Sequence, residues 1–201
     1  MSADDVRSFV AVELPEDARF RVRAVIERLR DLVASPDIKW VASANIHLTL
    51  KFLGQVPSDR LEEVQRRLTH ACVATPYLRF EVHTLGGFPS VESPRVIWAG
   101  LSGDIDPVSE LARRIDTTLA ELGFSRENRP FTPHLTLARV RQEASGRTRS
   151  AIGTAIKQCN HVTGIEFEAN GISLMRSQLT PRGAVYDRMA LIPFTPSSRR
   201  D

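Results

Sequence analysis

The sequence predicts an α+β fold of two pseudo-symmetric β-α-β-α-β lobes, with antiparallel sheets around a central groove. The first observation is a repeated motif: His-Leu-Thr-Leu occurs at 47–50 and again at 134–137, each time in a strand-like, alternating context. The second is an offset of 134 − 47 = 87 residues, which also places the apolar stretch 9–14 on 96–101 and Cys72 on Cys159. A pseudo-two-fold axis would make the two histidine strands neighbours. Two unrelated α+β units with a chance match are the alternative.

The first half of the chain predicts strand, helix, strand, helix and strand. Apolar residues 8–14 indicate a buried strand, and Pro15, followed by two acidic residues, indicates the start of a helix. The first histidine strand comes next, and Ser58 is predicted to cap the helix that follows it. Alternation at 77–85 predicts a strand, which the run Gly86-Gly87-Phe88-Pro89 is predicted to end.

The second half repeats this order. The stretch 96–101 predicts a strand, and Asp106-Pro107 predicts the start of a helix that Gly123 closes in a left-handed conformation. A weak helical pattern at 151–156 follows the second histidine strand. Two further strands are predicted at 165–174 and 184–192.

The whole chain, 1–201, is predicted to form a single domain with a substantial core, because 42% of its residues are hydrophobic. Its pseudo-repeat lobes span roughly 6–88 and 94–193. Residues 197–201 form a basic tail that is predicted to be disordered. The net charge of +3 is compatible with an anionic substrate.

The chain is expected to be a cytoplasmic monomer that does not associate with membranes, although the sequence itself leaves the oligomeric state open. The sequence shows neither a signal peptide nor an apolar run long enough to span a bilayer. The two cysteines, Cys72 and Cys159, are far apart and have no metal-ligand spacing, so they are predicted to be unpaired thiols.

The duplicated motif offers the groups that acid–base chemistry on a phosphate requires. Alternation places His47 beside Thr49, and His134 beside Thr136, with the intervening leucines towards the core. Hydrolysis of a phosphodiester needs a base for the attacking water and an acid for the leaving oxygen, and imidazole suits both tasks. The threonine hydroxyls can donate to the non-bridging oxygens. A lone strand histidine is more often structural, but the matched pair favours catalysis.

No metal site and no cofactor are predicted. Zinc prefers three or four protein ligands, and the motif supplies histidine and threonine without a nearby carboxylate or cysteine. His70, His83 and His161 lack ligand spacing and are interpreted as structural or solvated residues.

At these residues the chain resembles the 2H (two-histidine) phosphoesterases, and within them the RNA 2′,3′-cyclic phosphodiesterases, also called 2′-5′ RNA ligase-like proteins. The resemblance rests on both motifs with their flanking sequence, and it extends over RSFVAVELP at 7–15, NIHLTLKFLG at 45–54, PRVIW at 94–98 and RPFTPHLTLAR at 129–139. It implies a bilobal 2H phosphoesterase-like fold and metal-independent hydrolysis of an RNA 2′,3′-cyclic phosphate to a 2′-phosphate. With that product, His134 is the hypothetical base and His47 the acid for O3′, although the two roles could be exchanged.

The resemblance also implies that Arg139 contacts the phosphate and that Phe52 stacks on the terminal base. Each lies five residues after its histidine, so strict alternation places both on the opposite face unless a bulge intervenes. Lys51 has the parity of the groove face, or is a solvated charge. Arg126 and Arg129 either meet the RNA backbone or form a plain basic loop.

Three functions remain open from the sequence. The leading one is hydrolysis of RNA 2′,3′-cyclic phosphate ends. The same site could instead act on small cyclic nucleotides or ligate 2′-5′ RNA ends. A binding module without turnover is the third, and the intact histidine and threonine pairs speak against it.

Overall fold

The computed structural model describes residues 5–160, 162, 164–180 and 183–196. The predicted tail 197–201 and His161 lie outside these residues. The strands are β1 (Asp5–Glu13), β2 (Ile38–Trp40), β3 (His47–Pro57), β4 (Leu78–Phe88), β5 (Val96–Gly103), β6 (His134–Val140), β7 (Ile165–Ala169), β8 (Gly171–Thr180) and β9 (Gly183–Pro193). The α-helices in the described residues are α1 (Glu16–Leu32), α2 (Leu61–Ala71), α3 (Ile105–Ala120) and α4 (Gly146–Gln158).

The strands form one sheet in the order β7-β4-β5-β6-β3-β1-β8-β9, and β2 adds to β6. Every ladder between these strands is antiparallel. The centre of the sheet is its weakest junction, because β3 and β6 share only the pair Leu48–Leu135. The sheet therefore divides there into a first lobe (β3, β1, β8, β9) and a second lobe (β6, β5, β4, β7, with β2). This confirms the predicted α+β class with antiparallel sheets.

The two lobes exchange strands between the halves of the sequence. Strand β4 comes from the first half of the chain but pairs with β5 and β7 in the second lobe. Conversely, β8 and β9 come from the second half, and β8 pairs with β1 in the first lobe. Each lobe therefore contains strands from both 6–88 and 94–193.

The helices pack on the face of the sheet that carries the core. Helix α1 begins after Pro15, as predicted, and buries Ala18, Val22, Ile26 and Leu29. Helices α2 and α3 contact each other, while α1 contacts α4 and β7. One continuous core joins both lobes, and residues from the helices and from the inward faces of β1, β3, β5 and β6 contribute to it. His47 and His134 alternate with buried core residues and therefore point to the opposite face of the sheet.

Three boundaries differ from the sequence prediction. Strand β4 continues through Gly86 and Gly87, because the missing side chain at Gly86 makes room for the Trp98 ring. The stretch 165–174 is not one strand: it breaks after β7, and β8 begins at Gly171. Ser58 starts a single 3-10 turn, Ser58–Arg60, instead of capping an α-helix, and α2 begins only at Leu61.

Candidate active site

The two histidine motifs lie side by side at the junction between the lobes. Leu48 and Leu135 pair across it and are buried, while His47, Thr49, His134 and Thr136 are half-buried on the other face. This is the alternation that the sequence predicts. The structure thus brings two imidazoles and two hydroxyls to one face of the sheet at β3 and β6, which we call the groove face.

A bulge at the same place in each strand changes this alternation further along. The ladder between β1 and β3 skips Leu50, and the ladder between β5 and β6 skips Leu137, which is 50 + 87. An extra residue reverses the direction of every side chain that follows it. Phe52 and Arg139 therefore return to the groove face, where both are exposed, and strict alternation is wrong for them.

The same bulge turns Lys51 away from the groove, so neither sequence interpretation of this residue holds. Its side chain is only 5% exposed. The ammonium group donates to Asp116 Oδ1 of α3 at 2.5 Å and to the carbonyl of Ser125 at 2.8 Å. Lys51 therefore anchors β3 to α3 and to the loop before the second histidine strand. Arg126 and Arg129 of that loop are exposed.

The backbone holds both imidazoles in the same way. The Nδ1 atom of His47 lies 2.8 Å from the carbonyl oxygen of Asn45, and that of His134 lies 2.7 Å from the carbonyl oxygen of Thr132. A carbonyl oxygen only accepts, so Nδ1 carries the proton in each ring. The lone pair of the neutral imidazole is then on Nε2, which is free to accept or donate a proton.

Aromatic side chains surround each imidazole. Phe9 stacks on His47 with ring centroids 4.7 Å apart, and Tyr186 meets the same ring edge-on at 5.3 Å. Phe9 and Tyr186 belong to a small apolar cluster on the groove face, which is separate from the main core. His134 contacts Phe88 edge-on at 5.1 Å and lies 6.5 Å from Trp98.

The surroundings of His47 make its charged form unfavourable in the free protein. Burial among the aromatic rings is the largest effect and lowers the pKa of His47 to about 4. The charge of Arg139 and the nearby His134 ring also lower the pKa of His47, while the hydrogen bond to Asn45 and the carboxylate of Glu13 raise it. His47 is therefore neutral at pH 7 when no ligand is bound.

Glu13 is a site residue that sequence reasoning missed. It pairs with His47 across β1 and β3, so both side chains stand on the groove face. Its carboxylate accepts from the buried Ser173 at 2.5 Å and from Arg188 Nε at 2.8 Å. Glu13 could have been identified only from the register between β1 and β3, which cannot be read from the sequence.

The cysteines are free and buried, which confirms the prediction of unpaired thiols. Burial raises the pKa of Cys72 to about 12, so this thiol is not a nucleophile. Among the described residues, no three histidine, cysteine, aspartate or glutamate side chains are grouped as a metal site would need. None of the helices in the same residues is long and apolar enough to cross a membrane.

Comparison with known proteins gives matches over nearly the whole chain. An RNA 2′,3′-cyclic phosphodiesterase of Aeropyrum pernix is 31% identical over 176 residues, which cover 87% of this chain and 97% of that protein. One of Methanothermobacter thermautotrophicus is 31% identical over 92% of this chain and 96% of its own length. The crystal structure of TT0787 of Thermus thermophilus superposes with a TM-score of 0.75 at 26% identity, covering 96% of this chain and 100% of that one.

The family model described as LigT like phosphoesterase matches this chain twice, at residues 12–98 and again at 100–186. Each match contains one His-Leu-Thr-Leu motif, so the internal repeat inferred from the 87-residue offset is a repeat of one family unit. The chain therefore belongs to the LigT like phosphoesterase family.

Proposed function

We propose that this phosphoesterase hydrolyses 2′,3′-cyclic phosphate ends of RNA to 2′-phosphate ends by acid–base catalysis with His47 and His134. The observation that carries the proposal is the matched pair of imidazoles, each fixed through Nδ1 with Nε2 free. One neutral and one protonated ring, on opposite lobes, supply the base and the acid for in-line displacement at phosphorus. The activity in the names of the relatives supports the same substrate class.

The neighbouring groove residues suit a phosphate between the two rings. Thr49 and Thr136 stand two residues after the histidines on the same face, where their hydroxyls would donate to the non-bridging oxygens. Arg139 lies on the groove face of β6, and its charge acts on His47. Its guanidinium would pair with the negative charge that develops on the phosphate.

Phe52 sets the orientation of the nucleotide. Its ring is 65% exposed and lies 6.1 Å from Phe9, the ring that stacks on His47. A terminal base stacked on Phe52 would place the ribose on the His47 side of the phosphate. His47 would then protonate the leaving O3′, and His134 would activate water on the far side. This agrees with the roles assigned from the sequence.

The low pKa of His47 in the free protein opposes this assignment, since an acid must carry a proton. The reaction, however, brings an anion to this ring. An anionic phosphate beside the ring favours the imidazolium, so substrate binding and protonation of His47 are coupled. The two histidines would titrate as one unit and not separately.

The direct test is incubation with a short RNA that ends in a 2′,3′-cyclic phosphate, in the presence of EDTA. We expect a single 2′-phosphate product, identified against synthetic 2′- and 3′-phosphate standards. His47→Ala and His134→Ala should lose activity while folded, and His70→Ala, an exposed histidine of α2, is the matched control. Full activity of a folded His47→Ala or His134→Ala protein would refute the mechanism.

The alternatives from the sequence use the same site and are outcomes of the same assay. Adding an RNA with a 5′-hydroxyl end would reveal ligation as a 2′-5′-linked product. Parallel reactions with small cyclic nucleotides would reveal a different substrate preference.

A further inference from the structure

A second cation stands beside Arg139 on the wall of the groove. Strand β2 pairs with β6 just beyond the junction of the lobes, and Lys39 lies directly opposite Arg139 in this ladder. Residues directly opposite on antiparallel strands point to the same face. Both residues are exposed, whereas the neighbouring pair Ile38–Val140 is buried. Lys39 therefore presents its ammonium group on the groove face.

This pair is unfavourable unless an anion binds to it. Like charges directly opposite each other destabilise an antiparallel ladder. In the part of the chain that the structure describes, neither Lys39 nor Arg139 forms an ion pair with a carboxylate. No protein group there neutralises the charge of either residue. Gly183, the first residue of β9, lies beside Lys39: a Cβ built on Gly183 would lie 3.8 Å from Lys39 Cε.

The position of the pair relative to Phe52 identifies the anion. Because β3 and β6 are antiparallel and Phe52 and Arg139 follow their histidines by the same number of residues, the two lie towards opposite ends of the groove. In a ribose 2′,3′-cyclic phosphate, the base and the 5′ carbon leave the ring from opposite ends. A base on Phe52 therefore directs the 5′ substituent towards Lys39 and Arg139.

We propose that Lys39 forms a second phosphate subsite beside Arg139: its ammonium group binds the phosphate on the 5′ side of the terminal nucleotide, while Arg139 serves the cyclic phosphate. This inference rests on the proposed function and narrows its substrate class. The enzyme prefers a cyclic phosphate end that carries a 5′ phosphate group, as in an oligonucleotide, over an unphosphorylated nucleoside cyclic phosphate. Hydrogen bonds between charged groups supply the preference.

The kinetic test compares three substrates: adenosine 2′,3′-cyclic phosphate, its 5′-phosphorylated form, and a diadenosine dinucleotide with the same cyclic end. The second and third distinguish a phosphomonoester from an RNA diester. Lys39→Ala should lower the ratio of kcat/KM between either phosphorylated substrate and the first by about tenfold or more, the usual loss for one charge-assisted hydrogen bond. Lys39→Arg should restore most of the ratio.

The matched control is Lys157→Ala. Lys157 is an exposed lysine on α4 that pairs with Glu92, and its removal changes the net charge equally. It should leave the ratio unchanged. If Lys39→Ala lowers kcat/KM for all three substrates by the same factor, or if wild type shows no preference for a 5′ phosphate, the subsite does not exist.

A binding measurement separates this inference from the proposed function. Calorimetry should show that adenosine 2′,5′-bisphosphate binds about tenfold more tightly than adenosine 2′-monophosphate, and that Lys39→Ala removes the difference. If no 2′,3′-cyclic phosphate is hydrolysed, the proposed function fails, but this comparison still decides the subsite. Equal affinities for the two nucleotides would overturn it.

Discussion

Binding of an anion between the two imidazoles should raise the pKa of His47 from about 4 to about 7 or above. In the free protein, burial against Phe9 and Tyr186 keeps this ring neutral. Sulfate is a suitable probe, because it resembles the phosphate but keeps its charge over the relevant pH range. The charged and titratable groups that face His47 from the neighbouring strands are Glu13, Arg139 and His134, and all three are present in the titrations with and without sulfate.

The size of the pKa shift can be checked by comparing the free energy that it requires with the electrostatic energy that one anion supplies. Raising the pKa from about 4 to about 7 requires about 4 kcal/mol of preferential stabilisation of the imidazolium. A unit negative charge about 4 Å from the ring supplies about 4 kcal/mol at an effective dielectric constant of about 20. One phosphate or sulfate charge at hydrogen-bond distance is therefore sufficient.

NMR titration of the imidazole signals, with and without saturating sulfate, measures the shift directly. The spectrum of His47→Gln assigns the His47 signal, and the exposed His70 serves as an internal control that sulfate should not move. A pKa of His47 that stays at about 4 in the sulfate-saturated protein would refute coupled protonation. It would also assign the role of base to His47 and that of acid to His134.

Four further outcomes are expected. Replacing His47 or His134 by Ala should slow single-turnover hydrolysis roughly 10²- to 10⁴-fold, and the double variant should lose much less than the product of both factors, because the rings act as one unit. Because the pKa of His47 is about 4 in the folded protein and about 6.5 in the unfolded chain, the unfolded chain binds more protons between these two pH values. Chemical denaturation should therefore show that the unfolding free energy falls by about 3 kcal/mol from pH 7 to pH 4, relative to the change in His47→Gln. In Gly86→Ala the new Cβ would clash with the Trp98 ring, which should destabilise the protein by about 1–3 kcal/mol. Because the Trp98 ring lies near His134, kcat should also fall. Gly146→Ala, whose new Cβ would meet nothing within 4 Å, is the control. Activity should persist in EDTA, and a loss that zinc or magnesium restores would contradict the metal-free reaction.

The shared strand face of each histidine and its threonine could be predicted from the sequence, because it depends only on local alternation. The directions of Phe52, Arg139 and Lys51 could not be read in this way, since each follows a bulge at Leu50 or Leu137. A bulge depends on how the neighbouring strand pairs, and that pairing is not written in the strand itself. The bulged residues Leu50 and Leu137 are separated by the same 87 residues as the two histidines, so both bulges occupy the same position in the repeated unit.

Glu13 and Lys39 could not be placed on the groove face from the sequence, because their positions depend on pairing between strands that are distant in the chain. Glu13 reaches His47 only through the register of β1 on β3, and Lys39 reaches Arg139 only because β2 pairs with β6. The predicted end of β4 at Gly86 failed for a related reason. The glycines there do not break the strand but leave space for an aromatic ring from the adjacent strand.

The exchange of β4 and β8 between the lobes bears on how such a duplicated chain is assembled. The first half of the chain on its own, residues 6–88, would leave β1 without β8 and β4 without β5. Two copies of one unit could close both gaps only by intertwining, as in a domain-swapped dimer. The strand pairing of this protein is that of such a dimer within one chain, with the linker between β4 and β5 joining the two halves. Separately expressed fragments cut in that linker should therefore fold only when mixed.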